Sequence, residues 1–388
     1  MKPLFLFCNI LLSIIWLSSC NCDKKEGTIV VLNCLNRLDK EAMETPPPYK
    51  VTDIIRLETN TENLISNIKQ MEMTDSLMFI LDGSEKLYVF DRNGKFKNQI
   101  GARGEAPGEY LLLNTFYIDK AEQMAVLIDN YKNVLLNYAF DGTYLSLVPM
   151  APNALLGCNN TLLMDDNTLL LFNMMDMKEN IAYSLIDIVT KELIGKYFPY
   201  APIKPNNYIY SFSRHPITAT ENGADIILPL CDTIYNYSLS SRSFEPKYVV
   251  ETPRKMASKY QIRNDKKQTY SAELYDLWNA GYFTGFNGIY ETEDKIILTF
   301  LSGGIIMGYF VFDKSAQEGN YYIYTYGDEP KEIPFYPVIH TYDNKFIASV
   351  RTEELLEYRN SIKDLKFQEI VQSLREDDNP CLVFYELE

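Results

Sequence analysis

The chain is short of most residues and motifs that announce a familiar chemistry. Its 388 residues include only two histidines, His215 and His340, and two tryptophans. A metal site built mainly on imidazole would need both histidines to converge with carboxylates. The sequence has no Gly-x-Ser-x-Gly elbow, P-loop or His-Glu-x-x-His, which excludes the common hydrolase, nucleotide and zinc-peptidase signatures. Seven cysteines are scattered without a Cys-x-x-Cys pair, so neither a zinc ribbon nor a thioredoxin-like motif is present. Most of Cys22, Cys34, Cys158, Cys231 and Cys381 are expected to be small buried hydrophobes, with one disulfide at most. Cations are also in deficit: 37 Lys and Arg against 52 Asp and Glu leave a net charge of −15. Such a surface repels phosphate backbones, so no nucleic-acid partner is expected. Beyond the first twenty residues no apolar run reaches the roughly 18 residues of a membrane-spanning helix.

What the chain does have is aromatic strand material. Hydrophobic residues make up 46% of it, with 29 Tyr and 20 Phe, enough for a large core and biased toward strands. The stretch Gly101–Tyr110 holds three glycines and a proline. It lies between strand-like segments at 96–100 and 110–118, and reads as a tight crossing between two strands. An internal echo surrounds it. Phe79–Gly83, Lys86–Asp91 and the Asn93-Gly94 turn recur about fifty residues on as Val126–Asn130, Val134–Phe140 and the Asp141-Gly142 turn. Asn-Gly and Asp-Gly are strong hairpin signals, with positive φ expected at both central positions.

Further units of about 40 to 50 residues follow, at 169–197, 225–250, 295–326 and from 335 onward, each the size of a four-stranded propeller blade. The last unit lacks later strands until 380–387. A strand at 51–57 is the expected missing partner, pairing the two ends of the chain and leaving no open sheet edge there. Residues 28–32 are expected to add a further outer strand. The fold class is therefore all-β: a six-bladed β-propeller closed by N- and C-terminal strands, over 28–388. Two helical insertions are expected, at about 256–280 and 352–376. In the first, Tyr270, Leu274, Leu277 and Trp278 share a face. In the second, Leu355, Tyr358, Ile362 and Leu365 fit one face and Phe367, Ile370, Val371 and Leu374 another, so a bend or two helices is expected.

The amino terminus is a targeting segment. Lys2 precedes an uncharged apolar run, Leu4–Leu17, too short to span a bilayer comfortably. It ends in Leu17-Ser18-Ser19-Cys20, which resembles the bacterial lipobox. That resemblance implies a signal peptide over 1–19, cleavage before Cys20, lipidation of its thiol and a tether over 20–27. The chain is then anchored to the bacterial envelope without spanning the membrane, at the outer membrane by expectation, with its face left open.

Four stretches carry a wider likeness: Ile55-Arg56-Leu57-Glu58-Thr59, Gly101–Tyr110, Asp232-Thr233-Ile234-Tyr235 and Glu376-Asp377-Asp378-Asn379-Pro380. On these the chain resembles the six-bladed β-propeller lipoproteins of Bacteroides-type bacteria, which are similar in style to NHL-repeat propellers. Arg56 stands where that family usually has an apolar residue or Pro, and Ala106 replaces a usual Gly. The resemblance implies architecture and location, not chemistry.

Propeller geometry directs the search for a site. Loops that enter each inner strand share one face with the turns between second and third strands. Arg103, Glu105 and Glu109 belong to the first class, and Asp82, Asp129 and Asp232 to the second. Arg214 and His215 precede the fourth blade, with His215 held extended by Pro216. These eight are the candidate ligand-binding residues. For the aspartates, capping of their own turns is the leading expectation. Tyr200, Tyr208, Tyr210, Trp278 and Tyr282 could stack on sugar rings, with packing the default. The functional expectation is a lipid-anchored binding or scaffold module for a glycan, a peptide or an envelope protein, with no catalytic residues, cofactor or metal. The alternative is a metal-dependent propeller enzyme, lactonase- or lyase-like, using Ca²⁺ at the channel mouth.

Overall fold

The computed structural model describes residues 29–35, 46–173, 181–199, 214–257, 270–303, 306–323 and 333–388. The signal segment, Cys20, Cys22, the tether, and Tyr200, Tyr208 and Tyr210 lie outside the described residues.

The second strand of the first unit, Leu77–Asp82, shows how the fold is built. Its side chains alternate between two faces, and both are buried. Phe79 and Leu81 pack toward the following unit, while Met78 and Ile80 pack toward the preceding one. Strands buried on both sides must be stacked face to face as sheets, and six sheets in a ring satisfy every one of them. The described residues accordingly form six apolar clusters, each a wedge between neighbouring sheets, rather than one central core.

Blades 1 to 5 run outward in chain order. Their inner strands are Ile68–Met73, Leu113–Asp119, Cys158–Leu163, Ile217–Thr220 and Gly288–Glu291. Blade 6 is composite: Val338–Tyr342, Lys345–Val350 and Cys381–Leu387 are completed on the outside by Tyr49–Arg56, antiparallel to Cys381–Leu387. Each inner strand contacts the next around the ring, including blade 6 against blade 1. The structure is the six-bladed propeller expected from the period. The extra N-terminal strand is Val30–Leu32, parallel to Ser243–Val250 on the outside of blade 4. From there the chain reaches blade 5, where Cys34 bridges Gly319.

The hairpin turns differ from expectation in one detail. Gly94 and Gly142 take φ of +80° and +88°, but neither Asn93 nor Asp141 has positive φ. Gly94 N–H donates to Asp91 O at 2.9 Å, and Asp91 N–H donates to Lys95 O at 2.9 Å. This is a three-residue loop in which the glycine alone occupies the left-handed region.

Among the described residues three helices decorate the ring. The first, α1 (Tyr270–Asn279), buries Leu274, Leu277 and Trp278, and Trp278 joins the wedge between blades 4 and 5. Trp278 stacks on Phe300 with centroids 6.3 Å apart, and the Arg254 guanidinium lies 3.9 Å from the Trp278 ring. The phase break in the second insertion is two helices, α2 (Thr352–Glu357) and α3 (Leu365–Gln372), packed on blade 6. Asp364 caps α3 by accepting from Phe367 N–H. Leu365 does not join the buried face: it opens α3 just after the cap and is 75% exposed. No helix among the described residues is long and apolar enough to cross a membrane.

Candidate functional site

A channel of about 720 Å³ runs down the ring axis, lined by the inner strands of all six blades. Every inner strand starts at the face carrying the blade-to-blade loops, here the upper face, and ends at its first hairpin on the lower face. Sequence position along these strands therefore gives depth in the channel, at about 3.3 Å per residue.

A repeated irregularity shapes the upper mouth. In blades 1, 2, 3 and 6 the pairing of the inner strand with its neighbour slips by one residue near the top. The extra residues are Lys69, Asn114, Asn159 and Ile339, and all four line the channel. A bulge bends its strand and re-aims the side chain it leaves unpaired. Here it delivers a cation and two amides to the mouth, beside Asn67 and Asn160. Lys69 Nζ donates to Asn114 Oδ1 at 3.1 Å.

Asp82 and Asp129 flank two of these bulges. Asp82, fully buried, accepts from Ser84 N–H at 3.1 Å and Lys86 N–H at 2.9 Å, closing its own turn. Its other oxygen accepts from the Ser66 hydroxyl at 3.3 Å. Asp129 repeats the pattern, accepting from Tyr131 and Lys132 N–H at 3.0 and 2.9 Å and from Leu111 N–H at 2.6 Å. Each carboxylate thus fastens a turn to the loop that leads into the bulged strand. Asp232 accepts from the Thr233 hydroxyl at 3.1 Å, and its carbonyl accepts from Val250 N–H at 2.9 Å. None of the three lines the channel.

The Gly101–Tyr110 loop crosses from blade 1 to blade 2 as expected. Gly101 and Gly108 take φ of +68° and +85°, where a side chain would be strained. Glu109 Oε2 accepts from Ala106 N–H at 2.9 Å, and Lys132 Nζ donates to the carbonyls of Glu109 and Gly104 at 2.7 and 3.2 Å. Glu105 is exposed. Arg103 is 69% exposed and lies 3.9 Å from Glu85. None of this trio lines the channel either.

Arg214 and His215 do line it, and His340 joins them from blade 6. His215 Nδ1 lies 2.9 Å from Ile289 O, and its ring stacks on Tyr290 with centroids 4.6 Å apart. Burial lowers its pKa. Burial also drives His340 down to about 3, helped by His215 and Lys120, so both imidazoles are neutral near pH 7. The two histidines, 125 positions apart in sequence, thus share one cavity. No group of three His, Cys, Asp or Glu among the described residues could hold a metal ion.

Lower in the channel are Glu72 and Glu291. The enclosing walls push Glu72 up to about 7, against the pull of Gln70 and Lys120. Sequence reading missed Lys69, Glu72, Asn114 and Asn159. The available signal was the polar character of Ile68–Met73 and Cys158–Leu163, which line the channel and lack the apolar run of a second strand such as Leu77–Asp82.

Glu291 also borders a second cavity, about 920 Å³, between blades 4, 5 and 6 on the lower face. Two ion pairs form its floor: Lys247–Asp225 at 2.5 Å and Lys314–Glu291 at 2.6 Å. Burial raises the Asp225 pKa despite Lys247. Trp278 is buried and Tyr282 is half-buried in a short strand, so these two aromatics pack the flank. Among the described residues Cys158, Cys231 and Cys381 are free thiols, with Cys158 and Cys381 buried.

Residues 38–386 match the family described as Domain of unknown function (DUF4934). The chain belongs to this family. No curated protein sequence matches it. Its fold is similar to that of a Bacteroides fragilis NCTC 9343 protein classed as exported, at a TM-score of 0.72 and 20% identity, covering 89% of this chain and 98% of that one. A DUF4221 family member from Bacteroides vulgatus ATCC 8482 is similar at a TM-score of 0.50 and 11% identity, covering 88% and 98%. At these identities the likeness concerns the fold.

Proposed function

We propose that this DUF4934 member is a lipid-anchored envelope binding module whose central channel receives a small polar ligand or a narrow segment of a larger one. The observation that carries the reading is the channel lining. All six blades contribute to it, with Asn67, Asn114, Asn159 and Asn160 at the top and Thr218, His340 and Glu72 deeper. A purely structural ring would be expected to fill its axis with apolar side chains, as small barrels do. Its volume of about 720 Å³ lies within the range of small-ligand sites. The envelope location rests on the lipobox at Leu17–Cys20, and the exported class of the B. fragilis relative is in keeping with it. The calcium-dependent enzyme reading has no cluster of three His, Cys, Asp or Glu among the described residues to support it.

Calorimetric titration of the mature protein against glycan and peptide panels tests the proposal, with Asn159→Trp as the channel-filling control. Asn159 is a bulge residue at the mouth, so the indole should occlude the channel without unfolding the blade. Binding that is lost in Asn159→Trp at unchanged melting temperature is the expected result. Binding indifferent to that substitution, or none across the panels, overturns it.

A further inference from the structure

The channel is electrically polarised along its axis. Its upper end carries Lys69 from blade 1 and Arg214 ahead of blade 4, and its lower end carries Glu72 and Glu291. Lys69 and Glu72 lie three residues apart on one strand, about 10 Å in depth. Blades 1 and 4 are opposite members of the ring, so the two cations come from opposite sides of the mouth.

These two cations line the channel of a chain whose net charge is −15. Lys97, Lys247, Lys295, Lys314 and Lys366 sit within 4.0 Å of a carboxylate, whereas Lys132 bonds backbone carbonyls instead. Among the described residues, Lys69 and Arg214 have no such partner. Lys69 bonds only the Asn114 amide oxygen. Glu85 acts on Lys69 through space without pairing with it, and is itself turned to Arg103 at 3.9 Å. Desolvation by the channel walls lowers the Lys69 pKa. A partly desolvated amine with no counter-ion is costly to the fold, and a strand bulge is what puts it there. The surrounding amides, which both donate and accept, match hydroxyl groups.

We propose that the upper mouth is a carboxylate-binding site for a small, hydroxyl-rich acid of the sugar-acid class, its charged group held between Lys69 and Arg214 and its hydroxyls met by the asparagine collar. This rests on the reading of the channel as a ligand site. Ionised Glu72 sets the ligand's direction by repelling an anionic group from the lower end, where Glu291 is already paired with Lys314.

Calorimetry on the mature protein decides it, using digalacturonate, the neutral galactose disaccharide and inorganic phosphate as probes, with wild type, Lys69→Met, Arg214→Gln and Asn159→Trp. Lys69→Met removes an unpaired charge, so loss of folding is not a concern, and melting temperatures verify this for each variant. The proposal predicts that digalacturonate binds at least ten-fold tighter than either other probe. Lys69→Met and Arg214→Gln should each weaken it ten-fold or more, and its affinity should fall as salt rises. If the neutral disaccharide binds as tightly, is blocked by Asn159→Trp and ignores both charge variants, the carboxylate site is wrong while the channel reading stands. If phosphate binds as tightly as digalacturonate, the sugar-acid assignment is wrong. If no probe binds, the sugar-acid site is overturned, and the wider panels alone then judge the channel.

Discussion

The Arg56 guanidinium lies 3.0 Å from the Asp378 carboxylate, whose side chain is fully buried. Arg56 ends the outer strand of blade 6, and Asp378 sits just before the strand that pairs with it. Next to them, Asn379 donates to the carbonyls of Glu58 and Asn63 and accepts from Ile65 N–H at 2.8 Å. The two ends of the chain are therefore joined by a buried polar latch as well as by strand pairing.

Removing Arg56 leaves Asp378 buried and short of its main counter-charge. Arg56→Ala is expected to cost about 3 kcal/mol, seen as a lower denaturation midpoint. Asp378→Asn should cost less, because its amide oxygen can still accept from Arg375 N–H. Equal stability of Arg56→Ala and wild type would show that strand pairing alone closes the ring.

Asp129 holds three backbone N–H groups, one of them from the loop between blades 1 and 2. Asp129→Ala should cost about 3 kcal/mol, as buried donors lose a charged acceptor. Hydrogen exchange should speed up at Leu111, Tyr131 and Lys132 while distant blades stay protected. Uniform loosening of all six blades would contradict the local role.

Glu72 gives the channel a pH signature. Its folded pKa, about 7, lies above the ordinary 4.5. Between these values the folded chain binds more protons than the unfolded chain, so this group's contribution falls as pH rises. The penalty is absent below about 4.5 and complete above 7. Glu72→Gln should therefore be more stable than wild type at pH 8 and equal to it at pH 4. His340 titrates in the opposite sense, between 6.5 and about 3, but it is common to both proteins and drops out of the difference. Denaturant midpoints at pH 4, 6 and 8 measure the effect, and a constant difference would contradict it.

If Cys20 carries the lipid, Cys20→Ala should move the protein from the membrane fraction to the soluble fraction and abolish labelling by a palmitate analogue. Retention of the label in Cys20→Ala would remove the anchor from the account.

The ring was readable in the sequence because blade strands buried on both faces, such as Leu77–Asp82 and Met124–Asp129, leave continuous apolar runs at a regular interval. The closing strand at Tyr49–Arg56 was readable for a different reason: the last unit lacked a partner, and 51–57 was the strand-like segment left to supply it. The site was much less so. Arg214 and His215 were singled out and reach the channel, whereas Arg103, Glu105, Glu109, Asp82, Asp129 and Asp232 shape the loops around it. Lys69 and Asn114 were missed because a one-residue bulge, rather than alternation, turns them inward. A slip of that kind is set by pairing with the neighbouring strand, which a single sequence does not display.

The most direct measurement is a crystal structure of the mature protein soaked with the tightest ligand from the glycan and peptide panels. The account predicts ligand density inside the ring, within hydrogen-bonding distance of Lys69 and the Asn67, Asn114 and Asn159 amides. Density on the blade flanks or the lower cavity, with the channel holding only water, would contradict it.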